Sequence, residues 1–170
     1  MEVSLKTSTG ATVKAQFIAA VDYALPSLQD GWRFNFEKHK RTQGLSIFAV
    51  VSENEPYEIE GCIALKDSPH QDLFMAYVEI APHNQKPKKR YSNVAACLIA
   101  FGCRESFKRK GETKGYLAFN AVGADQKSTE RLIEHYQANY GAVRVGQTNA
   151  MFIAPEQGEH LINQYLKQMP

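Results

Sequence analysis

The sequence predicts an α/β fold in which a mixed, mostly antiparallel central sheet is flanked by helices on both faces. Three observations carry that reading. The stretch from Leu45 to Ala81 divides into three β-rich runs at turn-forming residues, and the apolar period changes to helical spacing at Asn93. Strand and helix patterns then alternate to the end of the chain. The 170 residues, 44% hydrophobic and 22% charged, fit one domain spanning 1–170, able to bury about 70% of the surface of its unfolded chain. That composition excludes disordered, collagen-like and low-complexity chains.

Thr12 to Tyr23 is predicted as a helix within an N-terminal helical region of about 11–43, and Trp32-Arg33-Phe34-Asn35-Phe36 is an aromatic cluster with no period of its own. Leu45–Ser52 reads as a strand, Tyr57–Leu65 as its hairpin return after Glu53-Asn54-Glu55-Pro56, and Leu73–Ala81 as a third strand, stopped by Pro82 because proline cannot donate to a ladder. From Asn93, Val94, Cys97, Leu98 and Phe101 fall at helical spacing, with Ser92 or Asn93 as cap and Gly111 past the end. Tyr116–Asn120 is a fourth strand. Ser128–Asn139 is an amphipathic helix ended by Gly141, and Val143–Val145 and Met151–Ile153 are short strands. Glu156–Gln168 closes the chain as a helix.

No apolar run approaches the roughly 18 residues of a membrane span, and Met1–Lys6 lacks the basic start and apolar core of a signal peptide. Cys62, Cys97 and Cys103 sit among apolar neighbours without a CxxC, so they read as buried thiols and the protein as cytoplasmic. The five histidines show no metal spacing, so no metal is expected. GxSxG, Walker and GxGxxG sequences are absent. Glu53/Glu55 and Glu58/Glu60 read as loop and outward strand positions.

The charge is uneven. Between Lys86 and Lys114, nine basic residues face only Glu105 and Glu112, a local +7 that leaves −5 for the rest of a chain whose net charge is +2. This pattern fits a compact anionic ligand better than a long polyanion, or else a solvated loop and helix face. Part of the excess lies at a strand–loop–helix junction, Tyr77 to Ala95. A helix N-terminus offers unpaired N–H groups and about half a positive charge, which seats phosphate, and Lys88, Lys89 and Arg90 precede that turn.

At these residues the chain resembles the GNAT acetyltransferases, whose mark is Arg/Gln-x-x-Gly-x-Gly/Ala opening the central helix after the fourth strand. Here the segment reads Arg90-Tyr91-Ser92-Asn93-Val94-Ala95, with Arg and the final Ala in place and Asn93 where the first Gly stands. Asn tolerates positive φ better than other non-glycine residues. Val78–Pro82 looks like the family's fourth strand, Leu117–Asn120 like its fifth, and His135–Ala142 like its tyrosine-bearing helix end. The likeness covers about 45–155, the acyl-CoA-binding core.

The resemblance implies an acetyl-CoA-dependent N-acetyltransferase that moves acetyl directly to a primary amine. The fourth and fifth strands would splay at a bulge, with the pantetheine arm along Glu79, Ile80, Ala81 and Pro82 and with Asn120 opposite. The diphosphate would lie on the amides of Tyr91, Ser92, Asn93, Val94 and Ala95, with Arg90 nearby and Lys88 and Lys89 toward the 3′-phosphate. Glu79 is the candidate base, directly or through water, or else an outward strand carboxylate. Tyr136 is the candidate acid for the departing sulfur, or else a core aromatic, with His135 the alternative from its register. The expected partner is a small-molecule or peptide amine, with nucleic acid disfavoured, no membrane and a homodimer allowed. The competing readings are a CoA-binding module with weak or no turnover, and a nucleic-acid contact at Lys86–Arg90.

Overall fold

The computed structural model describes residues 1–20, 23–68, 72–87 and 89–166. Its strands are β1 (Glu2–Lys6), β2 (Thr12–Ala19), β3 (Leu45–Ser52), β4 (Ile59–Asp67), β5 (Leu73–Ile80), β6 (Leu117–Asn120), β7 (Val143–Arg144) and β8 (Ala150–Ile153). They form one sheet in the order β1-β2-β3-β4-β5-β6-β8-β7, antiparallel at every step except β5–β6. The helices are α1 (Phe36–His39), α2 (Val94–Ser106), α3 (Gln126–Tyr140) and α4 (Pro155–Tyr165). This is the mixed, mostly antiparallel α/β sheet that the sequence predicts. The parallel step exists because β5 and β6 are joined through α2, a crossover that returns the chain in the same direction.

The N-terminal helical region is corrected. Thr12–Ala19 is a strand paired with both β1 and β3, and Val21 and Asp22 lie outside the described residues. Ala15 and Phe17 are buried while Gln16 between them is exposed, a period of two that the good helix formers in this stretch conceal. Among the described residues before β3, the helical stretches are a short turn at Leu28–Asp30 and the four residues of α1, with Ala20 in a helical turn at the end of β2.

The sheet has a core on each face. On one side Ile63, Leu65, Met75, Phe119 and Ile153 meet the apolar faces of α2, α3 and α4. On the other, Ile47, Ala49, Cys62 and Ala64 meet Leu25, Trp32 and Phe36 of the segment around α1, which places the aromatic cluster. Helix α2 is apolar nearly all round because it packs against both the sheet and α4. Its approach to β4 requires Gly61, where an added Cβ would sit 2.8 Å from Leu98 Cδ1 and 2.9 Å from Val94 Cγ1. Helix α3 begins on a reciprocal Asp125/Ser128 cap and ends at Gly141 with φ +60°, as its place in the sequence predicts. Helix α4 begins one residue before its predicted start and runs to Tyr165, and the predicted Lys167 and Gln168 lie outside the described residues.

Candidate active site

Strand β5 is paired on both edges only at its start. Leu73, Phe74 and Met75 pair with Leu117, Ala118 and Phe119 of β6, and from Ala76 onward β5 has no strand partner on that side among the described residues. Across the other edge Leu65 faces Met75 while Ala64 faces Tyr77, so Ala76 is an extra, bulged residue. The bulge turns β5 away from β6 where their pairing ends. Alternate residues of a strand turn their backbone groups to opposite edges. Since Ala81 donates its N–H to Glu60 of β4, Val78 and Ile80 direct theirs to the open edge. An extended ligand can hydrogen-bond there as another strand would. Ala81 and Pro82 turn aside and line a separate crevice with Trp32 and His83.

A cleft of about 260 Å³ follows the open edge, lined by Val78, Glu79 and Ile80 of β5, Ala95 and Ile99 of α2, and Tyr136 of α3. Its neighbour, about 440 Å³, lies toward β6 and includes Tyr77, Phe119, Asn120 and Gly123. The two share four residues, Arg33, Val78, Leu132 and Tyr136, which form the throat between them.

The turn into α2 is built differently from its sequence expectation. Tyr91 donates its N–H to Asn84 Oδ1 (2.9 Å) and Ser92 donates to Lys6 O (2.8 Å), so neither amide is open to a phosphate. The amides of Asn93, Val94, Ala95 and Ala96 have no protein acceptor among the described residues, as expected for the first turn of a helix. Asn93 has φ −113°, not the positive φ that a glycine would mark. Its side chain ties α2 to β1 by accepting from Lys6 N–H (2.8 Å) and donating to Ser4 O (3.0 Å).

Arg90, expected beside the diphosphate, instead has its guanidinium on Glu58 and Glu60, which raises its pKa further. Glu60, read from sequence as an outward position, is fully buried. It accepts from Asn84 Nδ2 (2.7 Å) and sits 2.7 Å from His83 Nε2. Glu58, Glu60 and His83 are the kind of donor set that could hold a cation, but Arg90 supplies that charge. Lys89 is half-buried, and Lys88 lies outside the described residues.

Glu79 is 8% exposed. Its carboxylate accepts the backbone N–H of Arg33 (2.8 Å) and of Phe34 (3.0 Å), one on each oxygen, and so pins the preceding loop to the end of β5. Tyr136 packs on Phe119 with ring centroids 4.7 Å apart. Burial pushes its phenol up to about 12 while Arg33 pulls the other way, so it is protonated at neutral pH. Its hydroxyl has no hydrogen-bond partner among the described residues. His135 also lines the first cleft, from its exposed rim. Cys62, Cys97 and Cys103 are fully buried, and burial pushes the last two thiols up to about 12.

Solved structures share this architecture. A chain of the KacTA–DNA complex superposes with a TM-score of 0.62 at 15% identity, covering 88% of this chain and 99% of that one. The chain has the GNAT acetyltransferase fold. The AtaT toxin, as a Tyr-to-Phe mutant bound to the C-terminus of the antitoxin AtaR, gives 0.60 at 17% identity over 88% of this chain and 99% of its own. AtaTR bound with acetyl-CoA gives 0.58 at 14% over 87% and 98%. A chain from Exiguobacterium sp. 255-15, described as a candidate acetyltransferase, gives 0.55 at 15% over 86% and 97%. No family model matches the sequence, and neither does any curated protein.

These neighbours overturn the expected partners. Chains of this fold are found in a complex with DNA and with a protein antitoxin, so the free small-molecule or peptide amine, with nucleic acid disfavoured, does not stand. Among the described residues no helix is long and apolar enough to cross a membrane. Sequence reasoning also missed Arg33, Leu132 and Tyr140 at the clefts, and the Glu60–Asn84 pair beneath the turn. Each is placed by contacts distant in sequence. Only the unassigned aromatic cluster drew attention to Arg33.

Proposed function

We propose that this protein is an acetyltransferase that uses acetyl-CoA, transfers the acetyl group directly to an amine, and works with a macromolecular partner, a protein or a nucleic acid. The single observation that carries the proposal is the open edge of β5, which begins at the bulge and leads to a throat holding one neutral phenol. Val78 and Ile80 would hydrogen-bond the pantetheine arm through their backbone groups. The amides of Asn93, Val94, Ala95 and Ala96 would take the diphosphate. Bound acetyl-CoA supplies the activated acyl group. Tyr136 gives a proton to the departing sulfur. Glu79, holding two backbone amides, keeps the throat loop in position and receives the amine proton through water. The buried thiols support direct transfer over an acyl-cysteine route. The macromolecular partner follows the DNA and antitoxin complexes of the structural neighbours.

A thermal-shift comparison tests the cofactor. CoA and acetyl-CoA should raise the melting temperature well above any effect of ATP, and Ala95→Trp, which fills the cleft, should abolish the difference. Equal shifts with ATP, or none at all, would sink the proposal. With a partner in hand, Tyr136→Phe should lower kcat by about 10²- to 10⁴-fold, the usual worth of a positioned acid, with KM for acetyl-CoA little changed.

A further inference from the structure

We infer that Arg33 is a catalytic residue of the transfer, the guanidinium that holds the negative charge of the departing sulfur until Tyr136 protonates it. The inference rests on acetyl-CoA occupying the cleft as proposed above. Of the four residues common to both clefts, Val78 and Leu132 are apolar, and Arg33 and Tyr136 bring the polar groups. Arg33 and Tyr136 thus stand on the wall that the two clefts share.

The backbone of Arg33 is held for this purpose. Its N–H and that of Phe34 are fixed by the two oxygens of Glu79, a buried carboxylate on the strand that forms the cleft wall. The guanidinium lies 5.6 Å from the centroid of the Phe34 ring. Among the described residues its exposed side chain has no carboxylate partner; the same is true of Arg41, Arg104 and Arg131, but Arg33 alone of these lines the two clefts. A positive charge left unpaired at the throat is suited to an anion that exists only during reaction. The other titratable groups facing this cleft are Glu79, already engaged with the loop amides, and His135, Tyr136 and Tyr140 of α3.

The step balances as follows. The amine nitrogen forms the C–N bond with its lone pair, the C–S bond breaks, and its electron pair goes to sulfur beside Arg33. Tyr136 donates its proton to that sulfur. The proton shed by the acylated nitrogen passes through water to Glu79, and its onward return through water restores the phenol. Amine and thioester become amide and thiol, with nothing oxidised or reduced.

Because Arg33 uses its backbone for Glu79 and its side chain makes no hydrogen bond among the described residues, Arg33→Gln should fold normally and still bind CoA. The test is the ultraviolet absorbance of the bound CoA thiolate against pH, with desulfo-CoA as the blank, in wild type, Arg33→Gln and Arg33→Lys. A neighbouring cation favours the charged form. Wild type should therefore hold roughly tenfold more thiolate at neutral pH than Arg33→Gln, and Arg33→Lys should recover part of the difference. If both bind CoA and the thiol titrates identically, Arg33 has no such role while the cofactor reading survives. If calorimetry shows that wild type does not bind CoA, the cofactor reading falls and this inference falls with it.

Discussion

Replacing Asn84 with alanine should cost the fold several kcal/mol, although the side chain touches no ligand. Asn84 is fully buried between β4 and the turn into α2. Its Oδ1 accepts the N–H of buried Tyr91 at 2.9 Å, and its Nδ2 donates to Glu60 O at 3.1 Å and Glu60 Oε2 at 2.7 Å. Alanine leaves the Tyr91 N–H unsatisfied in the interior, a loss of about 1–3 kcal/mol, and removes a hydrogen bond to a charged group worth about 1.5–3 kcal/mol. The sum, about 2.5–6 kcal/mol, is a large part of the roughly 5–15 kcal/mol that holds a domain together. Urea unfolding of wild type and Asn84→Ala at neutral pH reads it as a fall in midpoint at constant slope. Hydrogen exchange should localise the change to the Tyr91 amide. Asn84→Asp keeps the acceptor for Tyr91 but sets a second carboxylate against Glu60, so it should not restore stability. A loss below about 1 kcal/mol with the slope unchanged would refute the accounting, because a buried donor would then be unpaired at no cost.

Three further outcomes follow from local geometry. Gly61→Val should destabilise by about 1–3 kcal/mol in the same unfolding assay, since its Cβ alone meets Leu98 and Val94 inside contact distance. Asp125→Ala should lower the melting temperature at neutral pH by removing the cap on Ser128 N–H, which holds the Asp125 carboxyl below its ordinary 3.8. A depressed carboxyl contributes stability above its unfolded-state pKa and loses it as pH falls through the folded one. Wild type and variant should therefore converge below about pH 3.8. Cys62, Cys97 and Cys103 should resist a thiol reagent at pH 8 in the native protein and react fully in denaturant, because burial keeps all three protonated and covered. Native labelling of any one of them would contradict its burial.

Much of the fold was legible because it is written in short-range periodicity. Strands β3, β4, β5 and β6 and helices α2 and α3 lie within a few residues of where alternation, helical spacing and caps put them, and the Gly141 signal is local. The parallel β5–β6 step follows from a helix lying between two strands. The resemblance at Arg90–Ala95 pointed to the right fold while misplacing several of its own residues. Arg90 carries no signal in sequence that Glu58 and Glu60 would claim it, and Asn93 none that it would reach back to β1.

Only tertiary structure decided β2, Glu60 and Arg33. Residues 12–19 satisfy a helical pattern as well as a strand pattern, and the choice between them was made by the free edges of β1 and β3. Glu60 is buried because Asn84, His83 and Arg90 converge on it from a loop more than twenty residues away, which no window of neighbours contains. The throat exists because a bulge at Ala76 parts two strands and Glu79 holds a distant loop across the gap. Periodicity fixes what a segment buries. Which polar groups meet depends on contacts that form only once those segments have packed.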